Sequence, residues 1–238
     1  MHITPPLKQI KMKKLFFLPL LLLFSVTALA QRVSILGDSY STFEDFVTPS
    51  TNELWYYAHN DTSKTDVNRV EDTWWWQVIH DNDYKLEVNN SYSGATIGYS
   101  GYDGNDYSRR SFLKRMYNIG SPDIILVFGG TNDSWAKEPV GEYKYADWQW
   151  GDFYSFRPAM AYMVNWIRLH HPNVSTYYII NSELRPEITE SMKTICKHYN
   201  VPYIELKNIS KKNGHPTVKG MKAIAEQVSE AINPSKTN

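Results

Sequence analysis

The amino-acid sequence predicts an α/β fold, a three-layer sandwich in which helices cover both faces of a five-stranded parallel sheet. Short apolar runs alternate with helical patterns along most of the chain, and such alternation is typical of a parallel sheet. No internal repeat and no low-complexity linker interrupts residues 31–233. These observations together indicate one domain with a continuous core.

Five short runs rich in apolar and β-branched residues are predicted to be the strands of this sheet. Each run is bounded by polar or turn-forming residues, which is where a buried strand usually ends. The predicted strands are Arg32–Leu36, Lys85–Asn90, Ile124–Phe128, Ser175–Ile180 and Pro202–Leu206.

Five helical patterns lie between and after these strands. Asp72 or Thr73 can cap the first helix, and Pro216 suits the first position of the last one. Three consecutive tryptophans, Trp74–Trp76, cannot share one helix face, so we expect one or two of them in the core. The predicted helices are Thr73–Asp81, Ser108–Asn118, Tyr154–His171, Pro186–Tyr199 and Pro216–Ile232.

The N-terminus has the pattern of a signal peptide rather than of a folded element. Two lysines follow Met12, an apolar stretch covers Leu15–Val26, and a small-x-small cleavage site ends at Ala30. The apolar stretch is short and contains a proline, which argues against a membrane span and leaves an uncleaved anchor as the alternative. No cysteine follows the cleavage site, so a lipid anchor is not expected.

We therefore predict an exported protein, periplasmic or secreted after cleavage near Ala30, with no membrane contact in the mature form. Residues 1–30 would be the signal peptide, with Met12 as the alternative start if the chain begins too early. Residues 31–238 would form the single mature domain.

Composition argues against several classes of partner and cofactor. Lys and Arg number 25 and Asp and Glu number 25, so no nucleic-acid partner is predicted. The single cysteine, Cys196, cannot form an internal disulfide, and its apolar helical neighbours indicate a core position. The spacing of the histidines and the Asn60–Asp66 segment lack metal-site patterns, so we predict no metal.

Polar, hydrogen-bonding segments follow the predicted strands, and the carboxyl ends of parallel strands meet at one edge of a sheet. An ester or amide hydrolase needs a nucleophile, a base and donors for the developing oxyanion. Ser39, after the first strand, offers the nucleophile, and His215, before the last helix, offers the base. The chain lacks a G-x-S-x-G elbow at Ser39, which argues against a standard α/β-hydrolase.

Four motifs, in this order, resemble those of the SGNH hydrolases, also called GDSL-type esterases. The resemblance extends from residue 33 to about residue 232. It implies a flavodoxin-like architecture for the sheet and its helices, and serine-dependent ester hydrolysis without a cofactor. The motifs are Gly37-Asp38-Ser39, Gly94 in NNSYSGAT, Gly130-Thr131-Asn132-Asp133 and His215-Pro216.

The resemblance also implies a role for each reacting group. Ser39 would attack the acyl carbonyl, and His215 would take the hydroxyl proton and return it to the leaving alcohol. The main-chain N–H groups of Ser39 and Gly94 and the side-chain amide of Asn132 would form the oxyanion hole.

Three further motif residues are expected to shape the site rather than to react. Gly94 suits its position because a side chain there could block the approach to its N–H. Asp38 and Asp133 are expected to hold their loops by local side-chain to main-chain hydrogen bonds.

The chain departs from the family pattern beside the histidine. The family usually carries an aspartate three residues before the histidine, and Lys212 stands there in this chain. Lysine cannot accept a hydrogen bond from the ring N–H. Three groups are candidates to orient His215 instead: a main-chain carbonyl in Ser210–Asn213, the side chain of Asn213, or the carboxylate of Glu183.

Two long loops rich in aromatic residues, Phe43–Val70 and Trp135–Trp150, leave the predicted catalytic edge. Aromatic rings with acidic neighbours suit carbohydrate, and they also suit a covering lid. With the export signal and the habits of the family, they indicate a small-molecule or glycan ester, with O-acyl groups such as acetyl on carbohydrate. The alternatives are an acyltransferase, a catalytically weak carbohydrate-binding protein, and an esterase for phospholipids or thioesters; the oligomeric state stays open.

Overall fold

The computed structural model describes residues 30–233, which form a three-layer α/β/α sandwich. The strands are β1 Arg32–Gly37, β2 Lys85–Ser91, β3 Ile124–Gly129, β4 Ser175–Ile180 and β5 Tyr203–Glu205. They pair in parallel in the order β2-β1-β3-β4-β5, which is the flavodoxin-like order. The predicted fold class is therefore confirmed.

Helices cover both faces of the sheet. One hydrophobic cluster joins the sheet to α1 and α6, and a second joins it to α2, α4 and α5, while α3 follows β3 directly at the carboxyl edge. None of the helices within residues 30–233 is long and apolar enough to cross a bilayer. The signal peptide predicted from the sequence lies, except for Ala30, outside the described residues. The helices are α1 Trp74–Asp81, α2 Phe112–Arg115, α3 Thr131–Trp135, α4 Phe156–His170, α5 Pro186–His198 and α6 Val218–Ile232.

The central strand β3 is buried along its whole length and divides the core in two. Leu126 and Phe128 pack toward α1 and α6, whereas Ile125 and Val127 pack toward the opposite helices. This division follows from the alternation of side chains along a strand. A central strand covered on both faces gives the loops at its carboxyl end a rigid base.

Two predicted helix starts differ from the structure. The helix predicted over Ser108–Asn118 contains only Phe112–Arg115, because Ser111 caps it and the residues before Ser111 form turns. Thr73 occupies the N-cap position of α1, but its hydroxyl donates to the Val70 carbonyl and does not cap the helix.

The segment before α6 forms a small antiparallel hairpin rather than the start of the helix. Its strands are β6 Lys211–Lys212 and β7 His215–Pro216, so the prediction of Pro216 as the first helical residue is wrong. Thr217 is the N-cap of α6 instead. Asn213 and Gly214 make the two-residue turn with φ values of 50° and 77°, as expected of an Asn-Gly hairpin.

Candidate active site

Ser39 lies in a tight turn at the carboxyl end of β1. Gly37 is required there because a Cβ atom at this position would lie 2.6 Å from the Ser91 hydroxyl. The Asp38 carboxylate caps the following 3₁₀ turn by accepting from the Tyr40 N–H at 3.0 Å. The Ser39 hydroxyl is thereby held at the edge of the sheet, although the residue is only 2% exposed.

The β6–β7 hairpin brings His215 to this hydroxyl from the far end of the chain. His215 Nε2 lies 2.9 Å from Ser39 Oγ, across 176 positions of sequence. His215 is itself only 6% exposed. The structure therefore places the two residues predicted from the sequence in direct contact, and both are almost completely buried.

A main-chain carbonyl orients the His215 ring. His215 Nδ1 lies 3.1 Å from the carbonyl oxygen of Asn213. Because a carbonyl can only accept, Nδ1 carries the ring proton and Nε2 is left as the acceptor for the Ser39 hydroxyl. Of the three groups considered from the sequence, the loop carbonyl is the one in contact.

The two side chains considered as orienting groups bond elsewhere. The Glu183 carboxylate pairs with Lys211 Nζ at 3.0 Å, so Glu183 is not the orienting group. The side-chain amide of Asn213 donates to the carbonyls of Ser63 and Lys64, so it does not orient the ring either. The bonds of Asn213 tie the hairpin to the loop that follows β1, and the pair of Glu183 with Lys211 ties it to the segment that follows β4.

Three aromatic residues hold the histidine segment, and the sequence did not single them out. The Trp55 indole stacks on the His215 ring at 3.6 Å between centroids and 7° between planes. The Tyr40 hydroxyl donates to the Gly214 carbonyl at 2.5 Å, and the Tyr56 hydroxyl donates to the Pro216 carbonyl at 3.1 Å. Position and tilt of the imidazole are thus fixed without a carboxylate.

The surroundings of His215 disfavour its protonated form. Burial is the largest cause, the Asn213 carbonyl opposes it, and the positive charges of Lys64 and Lys211 add to it, so the pKa falls from 6.5 to about 4. Lys64 Nζ lies 3.9 Å from the Trp55 ring that stacks on His215. At neutral pH the imidazole is therefore neutral and able to accept a proton.

The predicted hydrogen-bond donors lie in the turn of Ser39 itself, in the loop after β2 and in α3. Gly94 follows β2 and Asn132 follows β3, and these are the two strands that pair with β1. Within residues 30–233, no group accepts a hydrogen bond from the main-chain N–H of Ser39 or Gly94. Gly94 has φ = 77°, a conformation that favours glycine. Asn132 Nδ2 donates to the Ala95 carbonyl at 2.9 Å, which joins α3 to the loop after β2.

Buried carboxyl groups lie in the core beneath these segments. Burial raises the pKa of Asp38 to about 7. Asp133 Oδ1 accepts from the Ile97 N–H at 2.8 Å, so its contact links α3 to the loop after β2 and is not the local bond that the sequence predicted. Within residues 30–233, Asp133 Oδ2 and both carboxylate oxygens of Glu138 are buried without a hydrogen-bond partner, and burial together with the Asp133 charge raises the pKa of Glu138 well above its usual range. Burial raises the pKa of Asp133 as well, so the neutral, protonated form is favoured for both carboxyl groups, which explains how both are tolerated in the core.

The assembled groups can perform nucleophilic substitution at a carbonyl. A neutral imidazole accepts from the Ser39 hydroxyl, and unpaired N–H donors lie in the same turn and in the next loop. A hydroxyl so placed can be deprotonated as it attacks, and donors fixed in advance can bind the oxygen on which negative charge develops.

Comparison with known proteins identifies a family. The model of the GDSL-like Lipase/Acylhydrolase family matches residues 31–232, nearly all of the described chain. No curated protein matches the sequence.

Solved structures give the same result. A protein described as a candidate GDSL-like lipase from Bacteroides ovatus is 50% identical, with a TM-score of 0.85 over 87% of this chain and 100% of that one. Another from Bacteroides uniformis is also 50% identical, with a TM-score of 0.84 over 86% of this chain and 96% of that one. A carbohydrate acetylesterase from Sinorhizobium meliloti shares the fold at 13% identity, with a TM-score of 0.58 over 86% of this chain and 99% of that one.

The His215 imidazole is expected to titrate near pH 4, because burial and two nearby cations disfavour the imidazolium ion. Lys64→Gln should raise this pKa, since it removes a positive charge from the far side of Trp55. Lys197→Gln, in the last turn of α5, is the matched control and should leave it unchanged. NMR titration of the ring measures all three proteins, and a wild-type pKa at or above 6.5 would contradict the described electrostatics.

Proposed function

The chain belongs to the GDSL-like lipase/acylhydrolase family of carboxylic ester hydrolases, and we propose that its reaction proceeds through a covalent acyl-enzyme on Ser39. The observation that carries this proposal is the 2.9 Å contact between Ser39 Oγ and His215 Nε2. The contact lies at the carboxyl edge of the sheet, where ligands of such folds usually bind.

In the first step, Ser39 Oγ attacks the ester carbonyl while its proton passes to His215 Nε2. The carbonyl oxygen becomes an oxyanion, bound by the N–H groups of Ser39 and Gly94 and by the amide of Asn132. His215 then gives its proton to the departing alcohol, and the acyl group stays on Ser39.

In the second step, water replaces the alcohol. His215 takes a proton from the water as its oxygen attacks the acyl-enzyme, and the same donors bind the second oxyanion. The proton then returns to Ser39 Oγ as the carboxylic acid leaves. Because the Asn213 carbonyl fixes the ring proton on Nδ1, His215 presents the same accepting nitrogen in both steps.

The confined approach to Ser39 supports a short acyl group. Ser39 and His215 are 2% and 6% exposed, so a bulky acyl chain could not reach the hydroxyl without displacing the walls. The Arg110 guanidinium narrows the approach further, since one of its nitrogens lies 3.6 Å from where a Cβ atom at Gly94 would be. Acetyl is the smallest common acyl group that meets this constraint.

The aromatic surface beside the site supports carbohydrate as the alcohol part. Trp135 is 41% exposed and lies edge-on to His215, with 5.7 Å between ring centroids. An exposed indole gives a sugar ring a flat apolar surface, while the polar loop ends can bond its hydroxyl groups. The likeness in fold to a carbohydrate acetylesterase agrees with this choice.

Replacement of Ser39 tests the mechanism. Ser39→Ala should lower kcat for p-nitrophenyl acetate by about 10³-fold or more, and it should abolish labelling by a fluorophosphonate, because the nucleophile is absent. Ser121→Ala, an exposed serine before β3, is the matched control and should keep both activities. Wild-type protein that takes no label but still binds glycans would support a catalytically silent binding protein instead.

Acyl-chain length tests the proposed substrate. From acetyl to hexanoyl esters, kcat/KM should fall about tenfold or more, because the added methylene groups do not fit the confined approach. Acetylated oligosaccharides should release acetate at rates at least equal to those of aryl acetates. A preference for long acyl chains would overturn the proposal that the substrate is a carbohydrate ester. Acetylation of an added acceptor sugar in place of acetate release would identify an acyltransferase.

Export is part of this proposal, and the basic, apolar and small-residue pattern up to Ala30 supports it. The mature protein recovered outside the cytoplasm should begin at Gln31. N-terminal sequencing checks this, and a mature chain that keeps the apolar stretch would contradict cleavage.

A further inference from the structure

The side-chain amide of Asn132 is held at both ends. Its Nδ2 donates to the Ala95 carbonyl at 2.9 Å, and its Oδ1 accepts from the Tyr102 hydroxyl at 2.8 Å. An asparagine amide has two N–H bonds, so one of them is left free after the bond to Ala95. The direction of the free N–H depends on how firmly the amide plane is fixed.

The terminal torsion of asparagine is intrinsically loose. Its distribution is broad, so a bond at one end alone allows the plane to swing about that bond. Bonds at Nδ2 and Oδ1 together restrict this swing. They also oppose a flip, because a flipped amide would place Oδ1 of Asn132 against the Ala95 carbonyl, where two acceptors would face each other.

Tyr102 lies in a hairpin able to keep its hydroxyl in place. Ser100 and Asp106 form an antiparallel bridge at the base of this hairpin, and Gly101 N–H donates to the Asn105 carbonyl at 2.8 Å. The ring of Tyr102 is half buried. Burial raises the pKa of its hydroxyl to about 12, so the group remains a donor at any working pH.

We propose that Tyr102 is a positioning residue for ester hydrolysis, whose hydroxyl holds the Asn132 amide so that its free N–H faces the developing oxyanion. Neither the Gly-x-Asn-Asp motif nor any other motif in the chain points to this tyrosine. The inference rests on the proposed function, because it assumes that an oxyanion forms beside Ser39.

Tyr102→Phe removes the hydroxyl and keeps the ring. Because the Asn132 amide then loses part of its alignment, kcat should fall about tenfold. Asn132→Ala removes the donor itself and should lower kcat more, by about 10²–10³-fold. KM should change by less than about twofold, because the ground-state ester does not yet carry the charge. Affinity for a boronic acid that forms a tetrahedral adduct with Ser39 should fall in step with kcat.

Tyr107→Phe is the matched control. Tyr107 directly follows Asp106 at the base of the same hairpin, where its N–H donates to the Tyr99 carbonyl at 2.7 Å, and its ring lies 6.2 Å from that of Tyr102. Loss of its hydroxyl should leave kcat, KM and boronic acid affinity unchanged. An equal loss of kcat in this variant would attribute the effect to the hairpin rather than to the Tyr102 hydroxyl, and would overturn the inference.

Two further measurements separate positioning from a general structural effect. In an Asn132→Ala background, Tyr102→Phe should have no additional effect on kcat, since no amide is left to position. In the otherwise native protein, the NMR signals of the Asn132 side-chain amide should shift or broaden in Tyr102→Phe. If Tyr102→Phe lowers kcat by the same factor in the Asn132→Ala background as in the native protein, or if the amide signals stay unchanged, the inference is overturned.

The outcome for Tyr102 is distinguishable from the outcome for the proposed function. If wild-type protein shows no Ser39-dependent hydrolysis, the proposed function fails. If it hydrolyses esters through Ser39 and Tyr102→Phe keeps full kcat, only the positioning role fails.

Discussion

A single hydrogen bond, between Ser39 Oγ and His215 Nε2, is the contact on which the site depends. Its partners are 176 residues apart in the sequence, and the parallel sheet and the β6–β7 hairpin bring them together. The order of the strands places β1 between β2 and β3, and therefore puts the loop that carries Gly94 and the helix that carries Asn132 on either side of Ser39. The fold contributes to function mainly because it brings the carboxyl ends of β1, β2 and β3 and the β6–β7 hairpin to one place.

The histidine is oriented without a carboxylate, and the consequences are electrostatic as well as geometric. A main-chain carbonyl fixes the tautomer, Trp55 fixes the plane of the ring, and two tyrosine hydroxyls fix the main chain on either side of it. None of these groups carries a negative charge that would favour the imidazolium ion. Burial lowers the pKa of His215 most, Lys64 and Lys211 lower it further, and the free base therefore persists into acidic solution. The lysine that stands where an aspartate is usual does not interfere, because Lys212 Nζ donates to the Thr62 carbonyl instead.

Much of the fold and the reacting pair could be predicted from sequence, because both depend on local patterns. The five apolar runs gave strand limits within one or two residues, and the motifs located Ser39, Gly94, Asn132 and His215. What the sequence could not supply were contacts between distant segments, such as the Trp55 stack on His215 or the bond from Asp133 to Ile97. One error was avoidable: Asn213-Gly214 is a strong hairpin signal, and it would have shown that Pro216 belongs to a hairpin strand and does not start the helix.

The acyl-enzyme itself is the most direct test of the central claim. Rapid quenching of wild-type protein during turnover of an acetyl ester, followed by peptide mass analysis, should find one acetyl group on the peptide that contains Ser39. Slow deacylation in a His215 variant should increase that fraction after mixing with an activated ester, since the base for the second step is missing. Turnover with no acetyl group on Ser39 at any quench time, or with the acetyl group on another residue, would contradict the account.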